Sequence, residues 1–242
     1  ERGWGLADDT FHVMDGLREI GHDVWFNLGD RDLAVGLALA ARLAEGARLT
    51  EALRELATAM GVRATVLPMS DAPVRTRVRA RDVWHDFQAF MIRERAQGPV
   101  QDVAFEGVQD AAPPPEVLDA VARARAIVIG PSNPVISIGP ILAVPGMREA
   151  LRDAAAPVVL VSPVVAGAVV KGPTEPFLAW AGQPLSAAGV VGHVGAGLLD
   201  GVVCDEGEAG GLPVLRTDTL MADAAGRRRL AREVLAFAEA LV

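Results

Sequence analysis

Two short runs rich in β-branched residues, Ala126-Ile127-Val128-Ile129 and Val158-Val159-Leu160-Val161-Ser162, limit the folds open to this chain. A strand wetted on one face alternates polar and apolar side chains. A run that is apolar at nearly every position fits a strand covered on both faces, as in parallel sheets. The first run leads directly into Gly130-Pro131-Ser132-Asn133-Pro134, and a helix is predicted over residues 146–152 before the second run begins. Strand, glycine-proline loop, helix and strand make a βαβ crossover. Ligands in open α/β sheets bind at the carboxyl ends of the strands, where this loop lies.

Helical and strand patterns alternate through the rest of the chain, which predicts an α/β fold. A helix is expected over residues 10–20, with Asp9 or Thr10 as N-cap and Gly21 as its stop. A strand at 24–26 should run into Asn27-Leu28-Gly29-Asp30. Helices at 33–45 and 50–60, closed by Gly46 and Gly61, form a helical excursion from the sheet over residues 30–62. Residues 74–80 alternate strictly, with Val74, Thr76 and Val78 on one face and Arg75, Arg77 and Arg79 on the other. Further strands are predicted at 83–93 and 100–106, and a helix at 116–123 follows the stiff loop 111–115. Beyond the crossover, a helix starts near Glu175. Strands are expected at Val190, 199–203 and Val214, before a terminal helix at 223–241.

Length and charge narrow the function classes. A chain of 242 residues, 51% hydrophobic, suits one large α/β domain or one domain carrying a small subdomain. The net charge of −8 argues against nucleic acid, whose binding depends on clustered cations that neutralise phosphates. Arg227, Arg228 and Arg229 sit in a helical pattern with acidic neighbours and read as a solvated face. Cys204 is the only cysteine, which leaves no intrachain disulfide and no cysteine-based zinc site, and fits a reducing cytoplasm. The longest apolar stretch, 158–170, is broken by Pro163 and Gly167 and is too short to cross a bilayer. No signal peptide is visible, and the chain begins at Glu1, so a segment upstream is expected.

Three polar clusters could carry chemistry. Gly130-Pro131-Ser132-Asn133-Pro134 brings backbone N–H groups, a hydroxyl and an amide to one strand end, which suits a phosphate. A tight turn held by proline and asparagine is the plain alternative. Lys171-Gly172-Pro173-Thr174 places an ammonium at the end of an apolar run, for a phosphate or a nucleobase carbonyl, or simply at the surface. Asn27-Leu28-Gly29-Asp30-Arg31-Asp32 could hold Mg²⁺ or substrate hydroxyls, or its carboxylates could cap a helix. Ser70-Asp71 with Arg75 and Thr76 poses the same choice between a turn and a polar pocket. His12, His22, His85 and His193 have no metal-ligand spacing, and His85-Asp86 is a weak catalytic pair. No nucleophile elbow occurs.

In order along the chain, these segments resemble the 2-phospho-L-lactate transferase family. The resemblance rests on Trp4-Gly5, Asp9-Thr10-Phe11, Leu28-Gly29-Asp30-Arg31-Asp32-Leu33-Ala34, Leu67-Pro68-Met69-Ser70-Asp71 with Val74-Arg75-Thr76, and Phe87-Gln88 leading to Arg93. It continues through Ile129-Gly130-Pro131-Ser132-Asn133-Pro134, Ser137-Ile138-Gly139-Pro140-Ile141-Leu142 and Pro145-Gly146. Val161-Ser162-Pro163, Lys171-Gly172-Pro173-Thr174 and Leu198-Leu199-Asp200-Gly201 complete it.

The resemblance implies a single Rossmann-like transferase domain over residues 1–242, a mostly parallel sheet with helices on both faces. The family's N-terminal glycine-rich loop and metal-binding aspartates would lie upstream of Glu1. It also implies a cytoplasmic, Mg²⁺-dependent homodimer. Such an enzyme moves a phospholactyl or phosphoenolpyruvyl group from a guanosine diphosphate adduct to the ribityl hydroxyl of a deazaflavin precursor, releasing GMP, in coenzyme F420 biosynthesis. By the same resemblance Gly130, Pro131, Ser132, Asn133 and Ser162 cradle the donor's phosphates, with Lys171, Gly172, Pro173 and Thr174 toward the guanosine. Asp9, Thr10, Asp30 and Arg31 lie toward the deazaflavin. Ala7 stands where relatives carry a basic residue, and Ala168 where a lysine is common. A non-catalytic nucleotide-sugar-binding regulator of the same fold is the alternative; the Phe87-Gln88 and Ser70-Asp71 to Thr76 stretches favour the transferase.

Overall fold

In a computed structural model the protein is described at residues 6, 8–170 and 172–242; Trp4, Gly5, Ala7 and Lys171 lie outside the described residues. Helix α1 (His12–Glu19) and helix α2 (Asp30–Ala44) start beside one another and exchange caps. The Asp30 carboxylate accepts from the N–H groups of His12 at 2.9 Å and Val13 at 3.0 Å, and from the Thr10 hydroxyl at 2.6 Å. Asp9 in turn accepts from the N–H groups of Arg31 at 2.8 Å and Asp32 at 3.3 Å. The expected cap of the first helix is therefore corrected: Asp9 caps the second helix, and Asp30 reaches back to the first. Each carboxylate meets N–H groups that the helix itself leaves open. Gly29 permits the approach, because a Cβ there would fall 2.0 Å from an Asp9 oxygen.

The strand expected at 24–26 is not formed. Among the described residues no strand lies beside it to supply hydrogen bonds, and Trp25 and Phe26 remain 38% exposed. Helix α3 (Leu49–Ala59) packs on α2, where Arg42 pairs with Glu55 at 2.7 Å. Asp71 ties α3 down by accepting from the Thr50 N–H at 2.8 Å and its hydroxyl at 2.7 Å.

A small antiparallel sheet follows, in the order β2-β1-β3, from β1 (Arg75–Ala80), β2 (Val83–Asp86) and β3 (Val100–Glu106). The strand expected over 83–93 ends at Asp86, and α4 (Phe87–Ile92) takes its second half. Phe87, Phe90 and Met91 recur at helical spacing, and the buried Phe90 meets Phe177 edge to face at 6.1 Å between centroids. One helical face can bury all three; a strand would turn Phe87 and Phe90 to opposite sides.

Helix α5 (Pro115–Ala122) leads into the main sheet. Its strands β4 (Ile127–Ile129), β5 (Val158–Val161), β8 (Gly201–Cys204) and β9 (Val214–Arg216) are adjacent in that order and all parallel. Ile127 pairs with Val158, as the crossover predicts. Val158, Leu160 and Val202 face a cluster containing Ile138, Leu142, Val190 and Val194. Val159, Val161 and Val203 face Leu230, Val234 and Ala238 of α10 (Ala224–Glu239). Helices cover both faces of β5 and β8, which is why those two strands tolerate no polar position; the expected burial of β4 on both faces is corrected, because it is an edge strand with Val128 43% exposed. Each fully buried valine or leucine contributes about 1.5–3 kcal/mol.

The β4–β5 crossover holds more than the helix α7 (Met147–Arg152) foreseen from sequence. A single π-helical turn (Pro134–Ile138) passes straight into α6 (Gly139–Ala143). Pro140 has no N–H to continue an ordinary helical ladder, so the chain widens there. Between β5 and β8 lie the two-residue hairpin strands β6 (Val164–Val165) and β7 (Ala168–Val169), then α8 (Thr174–Trp180) and α9 (Ala187–Val194). The strand expected at Val190 is thus a helix. The Ser186 hydroxyl caps it, accepting from Gly189 N–H at 3.1 Å, and packing outweighs the poor helix propensity of its glycines and valines.

Candidate functional site at the carboxyl ends of the parallel strands

A cavity of about 730 Å³ opens where β4, β5 and β9 end. Pro131, Ser132, Asn133, Ile136 and Ser137 form the wall after β4. Ser162, Pro163, Val165, Val169 and Val170 form the wall after β5, continued by Gly172, Pro173 and Thr174. Thr219, Leu220, Met221 and Ala222 close it after β9, and Phe87 and Met91 of α4 add an apolar edge. Every described residue in the predicted phosphate and guanosine set lines this cavity except Gly130, which precedes it in the bend and accepts from the Ser132 N–H at 2.8 Å. Lys171 lies outside the described residues.

Asn133 serves two neighbours at once. Its Oδ1 accepts from the N–H groups of Val135 at 2.9 Å and Ile136 at 3.2 Å, capping the π turn. Its Nδ2 donates to the Thr174 hydroxyl at 3.4 Å, linking the bend after β4 to the start of α8. The plain turn reading is therefore realised, and it does not use the whole bend. Among the described residues neither the Ser132 hydroxyl nor the Asn133 N–H has a partner, and both belong to residues lining a cavity with no charged described residue, which leaves them available to an anion. Ser162 is buried, and its hydroxyl accepts from Val164 N–H at 3.1 Å, shaping the chain after β5.

Asp9, Thr10, Asp30 and Arg31 do not line the cavity. Asp30 is held below the ordinary carboxylate value chiefly by the Thr10 hydroxyl, then by Val13 and His12 N–H groups. For Asp9, desolvation is the largest single influence and acts upward, yet the N–H groups of Arg31, Asp32 and Thr10 together hold it low. Ser70 accepts from Ala72 N–H at 3.0 Å and Asp71 serves Thr50, so this pair is turn and cap chemistry, not a pocket. The His85 ring sits 6.2 Å from that of Phe90, and neither His85 nor Asp86 reaches the cavity. Among the described residues no group of three or more His, Cys, Asp or Glu is arranged to hold a metal ion, and no helix is long and apolar enough to cross a membrane.

Sequence reasoning missed the β9 wall. The polar run Thr217-Asp218-Thr219 directly after a parallel strand was the available signal, since that is where open α/β sheets bind ligands.

Comparison with known proteins adds to this geometry. Residues 21–225 match the family described as 2-phospho-L-lactate transferase CofD. The phosphoenolpyruvate transferase of Streptomyces coelicolor is 39% identical over 253 residues, covering 99% of this chain and 79% of its own length. The 2-phospho-L-lactate transferase of Methanosarcina mazei is 36% identical over 243 residues, covering 97% of this chain and 79% of its own. A crystal structure of a UPF0052-family protein from Bacillus halodurans superposes with a TM-score of 0.52 at 22% identity, covering 80% of this chain and 62% of that one. That likeness is one of fold.

Proposed function

This chain belongs to the 2-phospho-L-lactate transferase CofD family and is a transferase, and from that premise we propose what it transfers. The donor is a guanosine diphosphate adduct of lactate or enolpyruvate, and the acceptor is the terminal ribityl hydroxyl of a deazaflavin precursor of coenzyme F420. The hydroxyl oxygen forms a bond to the phosphorus bearing the acid. The bond from that phosphorus to the bridging oxygen breaks, GMP leaves with the electron pair, and the hydroxyl proton passes to solvent.

The observation that carries this reading is the meeting of Ser132, Asn133, Ser162 and Thr174, from three separate stretches of the chain, around one cavity at the strand ends. Its volume falls within the roughly 300–1,000 Å³ of small-ligand sites. The chain's part is to seat the diphosphate against the bend, to hold the bend rigid through Asn133, and to line the rest with apolar surface that excludes water. Lys171 would serve the guanosine end. On this reading Asp9, Thr10, Asp30 and Arg31 act on the acceptor side by fixing the starts of α1 and α2, not by presenting free carboxylates. Mg²⁺ supplies counter-charge to the donor's phosphates. The described residues do not fit a protein-held ion, and no step here passes through one. A cytoplasmic homodimer belongs to the same proposal.

Incubating the protein with donor, deazaflavin precursor and Mg²⁺ should yield GMP and the phosphorylated deazaflavin by mass spectrometry. Binding of a uridine-linked sugar with no product would overturn the reading in favour of a regulator.

A further inference from the structure

Five polar residues are buried among the described residues, and four of them are satisfied: Thr50 by Asp71, Ser70 by Ala72, Ser162 by Val164 and Thr174 by Asn133. The fifth is Thr219. It is 4% exposed, and its Oγ1 is the one buried side-chain nitrogen or oxygen without a partner among the described residues. Buried hydroxyls are nearly always paired, so an orphan calls for an explanation.

Looseness of the segment does not supply one, because the chain on either side is pinned. Thr217 N–H donates to Cys204 O at 3.0 Å, and the Thr217 hydroxyl donates to Glu233 at 2.6 Å. Leu220 N–H donates to Asp218 at 2.8 Å, and Arg229 donates to the Asp218 carbonyl at 2.5 Å. A fixed backbone thus holds Thr219 in the cavity wall, and one rotation about χ1 moves its hydroxyl among three staggered positions.

We propose that Thr219 is a binding residue for the nucleoside half of the donor, its hydroxyl bonding a polar group there. This rests on the reading of the cavity given above. The unpartnered groups suited to phosphate, Ser132 and the Asn133 N–H, belong to the bend after β4 at one edge of the sheet. Thr219 follows β9, the opposite edge strand, so the two sets of groups enter the cavity from opposite edges of the sheet. Its neighbours in the wall are Leu220 and Met221, which suit a sugar or base face better than an anion. A hydroxyl both donates and accepts, so it can meet either a ribose hydroxyl or a base edge.

Thr219→Val and Thr219→Ser separate this role from a structural one. Calorimetric titration uses the whole protein with GDP and with inorganic pyrophosphate as probes, beside thermal melts without ligand. Thr219→Val should weaken GDP by about tenfold or more, because a ligand group is left unpaired, while pyrophosphate is unchanged. Its melting temperature should hold or rise, since the orphan is gone, and Thr219→Ser should keep GDP affinity. GDP binding unchanged in Thr219→Val overturns the inference and leaves the transferase reading standing. Equal loss of both probes, or a lowered melting temperature with no rescue by serine, also overturns it. Wild-type protein that binds neither probe overturns the cavity reading and this inference together.

Discussion

Asn133→Asp and Asn133→Ala should separate the two tasks of one side chain. Alanine removes the acceptor from Val135 and Ile136 N–H, now bonded at 2.9 and 3.2 Å. Losing an N-cap costs about 0.5–2 kcal/mol, and Val135 is only 2% exposed, which places this site toward the upper end. In a chain of this size each kcal/mol lowers the melting temperature by about 2–4 °C, so a fall of several degrees is expected. Aspartate keeps both acceptors and puts a carboxylate at a helical N-terminus, where it is favoured, so the melting temperature should hold. Binding should go the other way. The introduced carboxylate would set a negative charge roughly 4 Å from a phosphate in the bend, a repulsion of about 4 kcal/mol at an effective dielectric constant near 20. At about 1.4 kcal/mol per decade that approaches a thousandfold loss of GDP affinity. Alanine keeps the backbone N–H and loses only the side chain that braces the bend, so its loss of affinity should be smaller, about tenfold. Differential scanning fluorimetry and isothermal titration read the two effects. If the aspartate variant bound GDP like wild type, no diphosphate would sit at the bend.

Gly189→Ala should destabilise despite alanine's better helix propensity, because its Cβ would lie 1.9 Å from the Pro184 carbonyl oxygen; a loss of about 1–3 kcal/mol in urea unfolding is expected. Gly36→Ala, in α2 with nothing within 4 Å of the new Cβ, should instead gain up to about 1 kcal/mol by the same assay. Asp30 is depressed below its ordinary value of 3.8, so its capping contribution is complete above that pH and is lost as the pH falls through the lower folded value. Amide exchange of His12 and Val13, corrected for its intrinsic pH dependence, should show protection falling only below pH 3.8.

How legible the fold was depended on how local its causes are. The apolar runs at β4 and β5 declared themselves as strands, although only β5 is covered on both faces, and β3 and α10 followed from equally local patterns. The misreadings all turned on tertiary partners. Val190 looks like a strand residue until Gly189 and Gly192 are seen to let α9 approach Pro184 and Gln183. The strand signal at 83–93 fails at Phe87, where burial against Phe177 selects the helical face. Asp9 and Asp30 each read as capping residues, but which helix each serves depends on α1 and α2 starting side by side. In the site, the bend after β4 was readable because its proline and asparagine chemistry is written in consecutive residues. Thr219 was not, since a buried orphan hydroxyl exists only once the surrounding wall is built.

The make-up of that wall bears on the kind of transfer it can support. Its described polar groups are Ser132, Asn133, Ser137, Ser162, Thr174 and Thr219, and no described residue of the wall is a His, Lys, Cys, Asp or Glu. A hydroxyl without an adjacent base is a poor nucleophile, and Ser162 is already committed to Val164 N–H. A covalent phosphoryl-enzyme relay therefore lacks its essential pair among these residues. Direct attack of one bound substrate on the other needs no such pair. It needs both held in line, for which effective molarities of about 10⁵–10⁸ M are attainable from orientation alone. Direct attack also requires that both substrates be bound before either product leaves. Initial velocities measured against each substrate at several fixed levels of the other should then give intersecting double-reciprocal lines. Parallel lines would mean that GMP departs before the acceptor binds, and a nucleophile elsewhere in the protein would have to carry the group between them.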